Sequence, residues 1–219
     1  VSRREEVLQE MGLGPVWRLK RKKIQAQPQP KEQNNDWETL KARVKSCTDC
    51  KLRAGCTQTV FGVGDEKAEW LLVGEAPGAE EDRLGEPFVG QAGRLLDQML
   101  LSIGMTRGEN VYIANVLKCR PPGNRNPEPE EVAKCSPHLL KQIELIRPKL
   151  IIAMGRFAAQ TLLASDATIA SMRGSLHQYA GVPLVVTYHP AYLLRNLPDK
   201  SKAWADLRFA VKTMERLKA

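Results

Sequence analysis

Four short apolar runs, rich in β-branched residues, most constrain what this chain can fold into: residues 70–73, 111–116, 150–154 and 183–187. Between and after them lie stretches whose apolar residues recur at helical spacing, at 92–103, 130–146, 156–163 and 202–217. Residues 37–45 read as a further helix with Asp36 as N-cap, and Ser201 is placed to cap the last one. Strands that are apolar at every position are buried on both faces, and strands alternating with helices are joined by crossovers. The expected fold is therefore α/β, a three-layer α/β/α arrangement around a central four-stranded parallel sheet. In such sheets a ligand sits beyond the carboxyl ends of the strands. That points to the loops after Val73, Asn115, Met154 and Thr187.

A chain of 219 residues is long enough for one well-filled core of this kind. Its 42% hydrophobic and 26% charged residues exclude wholesale disorder. No run approaches the length of a membrane span, and the charged first ten residues do not read as a signal peptide, so a cytoplasmic location is expected. The net charge of +8 makes a polyanion a plausible partner. Residues 1–36 hold eight Lys/Arg and five Asp/Glu, so +3 lies there and +5 on the rest. Within that segment, 25–35 is Gln-, Pro- and Asn-rich with almost nothing to bury. The expected organisation is a basic tail and flexible tether at 1–36 and one functional domain at 37–219.

Five cysteines are too few for a disulfide scaffold, and the odd count suits a reducing compartment or a metal centre. Cys47 and Cys50 form a C-x-x-C, while Cys119 and Cys135 bracket a Pro-rich loop. Four thiolates in that arrangement suit zinc or an iron–sulfur cluster, against the alternative of ordinary buried thiols. Cys56 reads as a free thiol near the centre.

The strand-end loops carry the remaining chemistry. The loop after the first strand is Gly-rich and acidic, with Gly74, Glu75, Ala76, Gly78 and Glu81, and leads to Phe88. It lacks the Gly-Lys-Ser/Thr of a Walker A loop. Glycines admit close approach of a ligand, and Phe88 offers a stacking face, against plain core packing. Asn115, with one acceptor and two donors, can match the edge of a base, although a local backbone bond is the commoner fate of such a residue. His189 precedes a proline and is held extended at the end of the fourth strand. His138 and His177 have no such placement and read as surface or core residues.

Taken together, Gly74-Glu75-Ala76-Pro77-Gly78, Pro87-Phe88-Val89-Gly90, Asn115 to Pro122 and His189 to Arg195 resemble the family 4, iron–sulfur uracil-DNA glycosylases. The resemblance covers roughly 47–217. It implies a DNA repair enzyme that flips uracil out of DNA and hydrolyses its N-glycosidic bond, and a [4Fe–4S] cluster on Cys47, Cys50, Cys119 and Cys135. With its thiolates, an oxidised cluster adds about −2 to the charge of the body. The resemblance further implies that Phe88 stacks on uracil within a pocket that includes Gly74 and Ala76. Asn115 would read the base edge, His189 would stabilise charge on the departing base, and Glu75 or Glu81 would place water. Tyr192, Leu193, Leu194 and Arg195 resemble the segment that enters the minor groove, and Arg120, Arg173, Arg125 and Lys118 are expected around it as DNA contacts.

Two departures bear on mechanism. The water-activating aspartate of the best-known uracil glycosylases is not Asp here, so catalysis is expected to lean on a dissociative, cation-like sugar. Residues 120–129 contain no His, so ordinary turnover without a covalent adduct is expected. The competing readings are a non-catalytic iron–sulfur DNA-binding or replication-associated module of the same fold, and a zinc-stabilised nucleotide-binding protein. A monomer is expected. Ser2-Arg3-Arg4, Leu8, Met11-Gly12-Leu13 and Trp17-Arg18 resemble the N-terminal peptide of the clamp-loader psi subunit, implying a tether to replication machinery; the alternative is a basic arm on DNA.

Overall fold

The computed structural model describes residues 37–218 together with Arg3, Val7, Glu10, Met11 and Gly12. The chain divides into two units, Val1–Asn34 and Asn35–Ala219. In the first, Arg3, Val7 and Glu10 have helical backbone, and Met11 N donates to Val7 O at 3.1 Å. The rest of the tail, including the tether and most of the clamp-loader-like peptide, lies outside the described residues, as does the Asp36 cap.

In the second unit the described elements run α1 (Trp37–Lys45), α2 (Leu52–Gly55), β1 (Val63–Gly64), β2 (Trp70–Gly74), α3 (Ala79–Leu84), α4 (Gln91–Leu101) and β3 (Val111–Asn115). They continue with α5 (Pro129–Ile146), β4 (Leu150–Met154), α6 (Arg156–Leu163), α7 (Ile169–Met172), β5 (Leu176–Tyr179), β6 (Val182–Thr187), α8 (Pro190–Arg195) and α9 (Lys200–Lys218). Two short 3₁₀ turns, Pro122–Asn124 and Leu197–Asp199, complete the order.

The sheet has six strands in the order β1-β3-β2-β4-β6-β5. The four central strands are parallel, and β2, β3 and β4 are buried at every position, as their unbroken apolar sequences require. The expected four-stranded parallel sheet is therefore the core of a larger mixed one. Antiparallel β1 and β5 close its two edges. Neither is legible as a buried strand, for a physical reason. An edge strand needs no apolar residue on both faces, β1 spans only two residues, and β5 alternates exposed and half-buried positions. A two-residue turn at Ala180 (φ 48°) and Gly181 (φ 80°) joins β5 to β6, with both residues left-handed as a tight hairpin demands.

Side chains alternate across the sheet and produce the three layers. Leu71, Val73, Ile151 and Ala153 pack with Leu139 and Ile143 of α5 and Leu162 of α6. Trp70, Leu72, Ile113 and Ile152 face the other way, onto Leu96 and Leu100 of α4 and Leu207 and Ala210 of α9. Each fully buried leucine contributes about 2 kcal/mol from area removed from water. Helix α5 is started by Pro129 and a reciprocal capping box between Glu128 and Glu131. Ser201, expected to cap the last helix, lies inside α9, and its hydroxyl donates to Pro198 O in the 3₁₀ turn that leads into the helix.

One buried ion pair joins the far helix to the strand that leads into the site. Asp206 of α9, 3% exposed, accepts from Arg173 Nε at 2.6 Å and from the Thr187 hydroxyl at 2.9 Å. Arg173 also donates to Lys202 O and lies 4.7 Å above the Tyr188 ring. Arg173, expected at DNA, thus has its guanidinium committed to a buried carboxylate. Arg173→Ala leaves Asp206 buried without its counter-charge and should destabilise the fold by about 3 kcal/mol, read from chemical denaturation at neutral pH.

Candidate functional site

A cavity of about 430 Å³ opens at the carboxyl ends of β2, β3 and β6, the size of a small-molecule site. Glu75 and Ala76 after β2, Asn115 at the end of β3, His189 after β6 and Phe88 all line it. Their convergence depends on Gly74. A Cβ there would stand 2.4 Å from Asn115 Oδ1 and 2.7 Å from Phe88 Cζ, so only glycine lets the two side chains meet over the end of β2.

Phe88 is held in an uncommon conformation. Its φ is 56°, and its carbonyl oxygen would lie 1.7 Å from a Cβ on Gly93. Two side chains keep it there. Arg107 donates through Nη2 to Phe88 O at 2.8 Å and through Nη1 to Pro87 O at 3.0 Å. Glu81 Oε1 accepts from Val89 N at 3.0 Å and Gly90 N at 3.2 Å. That gives Glu81 a loop-holding task, in place of the water-placing one expected from sequence.

The electrostatics of the cavity are set by burial. His189 Nδ1 accepts from Ala191 N at 3.1 Å, so in the neutral ring the proton sits on Nε2 as a donor. Burial pushes its pKa down to about 4; Arg195 works the same way and Glu81 weakly against it. The imidazole lies 5.4 Å from the Phe88 ring at 30°. Burial also raises the Glu75 carboxyl above its ordinary range, opposed by Arg156. Asn115 is 2% exposed, and its Oδ1 is the one buried side-chain polar atom among the described residues with no hydrogen-bond partner. A buried acceptor without a donor costs free energy until something supplies one, so this atom is open to a donor from outside the fold.

Behind this cavity, Cys47, Cys50, Cys119 and Cys135 line one small apolar pocket. Lys118 N donates to Cys135 Sγ at 3.2 Å, and His138 Nε2 lies 3.4 Å from Cys47 Sγ. Burial raises the Cys47, Cys119 and Cys135 thiols. Among the described residues, the ligand atoms gathered within 4.8 Å of one another are those of Cys47, Asp49 and His138, not those of the four cysteines. A single tetrahedral zinc would draw four sulfurs to about 3.8 Å from each other. Four cysteine sulfurs around one pocket, not gathered to that spacing, fit a multi-iron cluster better. Cys56 is buried, and its thiol contacts Arg53 O at 3.7 Å.

Several sequence expectations fall elsewhere. Leu193 is 1% exposed in a cluster with Tyr188 and Ala203, so it cannot enter DNA without unfolding α8; Leu194, 39% exposed, is the apolar side chain available. Tyr192 stacks on Tyr188 at 5.1 Å, and Arg195 lines the cavity. Lys118 is buried at 1% exposure and is no DNA contact. Arg125 is bound twice by Glu131, and Arg120 donates to Asn124 Oδ1 at 2.7 Å. Sequence reasoning passed over Arg107 and Gln142, and read His138 only as a surface or core residue. It also passed over Asp82, whose carboxylate accepts from Thr57 and Gln58 across the fold. Such partners are distant in sequence and leave no local signal.

The site is thus a small-molecule-sized pocket at the strand ends of a doubly covered sheet with a parallel core, in a unit that also holds a pocket lined by four cysteines. Residues 61–208 match the family model described as the uracil DNA glycosylase superfamily, and the chain belongs to that family. It is 50% identical over 159 residues to the Type-4 uracil-DNA glycosylase of Archaeoglobus fulgidus, covering 69% of this chain and 79% of that protein. It is 42% identical over 184 residues to the Type-4 enzyme of Thermotoga maritima, covering 83% and 93%. With that of Sulfurisphaera tokodaii it shares 44% over 167 residues, covering 73% and 76%.

The tautomer and charge of His189 are directly measurable. Nitrogen-15 spectra should show a neutral ring protonated on Nε2 from pH 8 down to about pH 5. With a folded pKa near 4 and an ordinary unfolded one near 6.5, the unfolded chain takes up this proton first. The stability that the neutral ring contributes is therefore full above about pH 6.5 and declines as pH falls toward 4.

Proposed function

We propose that the cavity over Gly74 is where this uracil-DNA glycosylase of DNA repair receives uracil flipped out of DNA, and that Asn115, Phe88 and His189 carry recognition and catalysis. The observation that carries this reading is the buried Asn115 Oδ1 with no partner. The N3–H of uracil supplies the missing donor, and the amide NH₂ answers O4. Cytosine offers no N3–H, so it would leave the acceptor unsatisfied. Phe88 presents a ring face held rigidly by its loop.

Excision leaves negative charge on the base. The neutral imidazole of His189, with Nε2–H as donor and Nδ1 fixed by Ala191 N, is a preorganised donor toward that charge. Glu75 is the carboxylate left to place water and face the developing sugar cation, since Glu81 is engaged with the Phe88 loop. Cys47, Cys50, Cys119 and Cys135 would hold a [4Fe–4S] cluster. Bound there, it would supply cross-links between the segment before β1 and both ends of the loop that includes Asn124 and Arg125. Leu194, Arg195 and Arg120 are the candidates to meet DNA. No helix among the described residues is long and apolar enough to cross a membrane, and the work proposed is where DNA is, in the cytoplasm. The N-terminal tether to replication machinery is a separate proposal that rests on residues 1–24 alone.

A uracil-containing oligonucleotide cleaved by alkali after incubation tests the site. Asn115→Ala and His189→Ala should each lower single-turnover excision by roughly 10²- to 10³-fold. Unchanged rates in both variants would refute the assignment. Gly74→Ala, which drives a methyl into Asn115 and Phe88, should cost roughly a hundredfold while the protein stays folded by circular dichroism.

A further inference from the structure

Lys118 has no part in the chemistry above, yet it is the largest fully buried side chain described. Its ammonium has two acceptors, both neutral: Asn115 O at 2.9 Å and Gln142 Oε1 at 2.6 Å. Gln142 is itself fully buried and is anchored through Nε2 to Phe61 O at 2.9 Å. The main chain of the same lysine donates to Cys135 Sγ at 3.2 Å, and the next residue is Cys119. Lys118 also lines the cysteine pocket.

The main-chain N–H of Lys118 thus holds the Cys135 sulfur at one end. Its Nζ meanwhile grips the main-chain oxygen of the residue whose side chain faces the base. We propose that Lys118 is a positioning residue that ties Asn115 to the cysteine centre. Its Nζ fixes the Asn115 main chain and braces it on Gln142, while its main-chain N–H is fixed on the Cys135 sulfur. On this view the centre acts on base recognition through one side chain, beyond fastening a loop. The proposal rests on the reading of Asn115 as the base-reading residue.

The test uses the full, iron-loaded chain. Lys118→Met keeps the side-chain length and removes the charge. Three quantities are followed: single-turnover excision, iron per protein, and the affinity for a duplex carrying hydrolysis-resistant 2′-fluoro-deoxyuridine relative to one carrying thymidine. Excision should fall roughly ten- to hundredfold with iron retained, and preference for the fluorouridine duplex should fall with it. In an Asn115→Ala background the same change should produce no further fall, because both act through one group. Gln142→Leu leaves the ammonium in place but frees it on one side, and should give a smaller loss that is again absent in the Asn115→Ala background. It decides the matter if Lys118→Met does not fold or hold iron. Wild-type excision in the lysine variant, a loss additive with Asn115→Ala, or wild-type behaviour of Gln142→Leu would overturn the proposal. An impaired Asn115→Ala beside a fully active Lys118→Met refutes the lysine role alone, whereas a fully active Asn115→Ala refutes both.

Discussion

The pairing of Gly74 with Asn115 at the ends of β2 and β3 is the constraint on which the site depends. Parallel register brings these two residues side by side, and the missing side chain at Gly74 leaves the space that Asn115 and Phe88 occupy. A pocket built this way takes its rigidity from the central sheet, whose strands are buried throughout. Glu81, Arg107 and Gly93 then fix the Phe88 loop from outside, so that a left-handed backbone at a bulky residue is over-determined by its neighbours.

The charged residues of the body are used inward more than the net charge suggests. Arg173 holds Asp206, Arg125 holds Glu131, and Lys118 holds Asn115 and Gln142. They connect the end of α7 to α9, the loop after Asn124 to α5, and the end of β3 to α5, and Asp206 in turn accepts from Thr187 at the end of β6. Cations that counted toward a general attraction for polyanions are thus partly internal struts. In the function proposed above, attraction to DNA falls to fewer side chains, Arg195 at the cavity among them.

Much of the fold was legible because burial on two faces leaves an unmistakable pattern. The central strands and the helices α1, α5 and α6 fall within a residue or so of where apolar periodicity places them. The pocket residues Glu75, Asn115 and His189 were legible because strand ends in such a sheet converge, and Phe88 through the family resemblance of its loop. The edge strands β1 and β5 were not, since an edge satisfies half of its hydrogen bonds with solvent and imposes no apolar code. Leu193 and Leu194 read alike in sequence, but successive helical residues point about 100° apart, and packing against Tyr188 buries the first alone.

The order of elements, the parallel core, the cysteine spacing and the identity of the residues at the strand ends are determined by the amino-acid sequence itself. They follow from local periodicity and from which side chains can do the chemistry. The charge state and tautomer of His189, the unanswered Asn115 acceptor, the task of Glu81 and the burial of Lys118 were decided only in three dimensions. Each depends on desolvation and on a partner, and neither exists until distant segments close around the group.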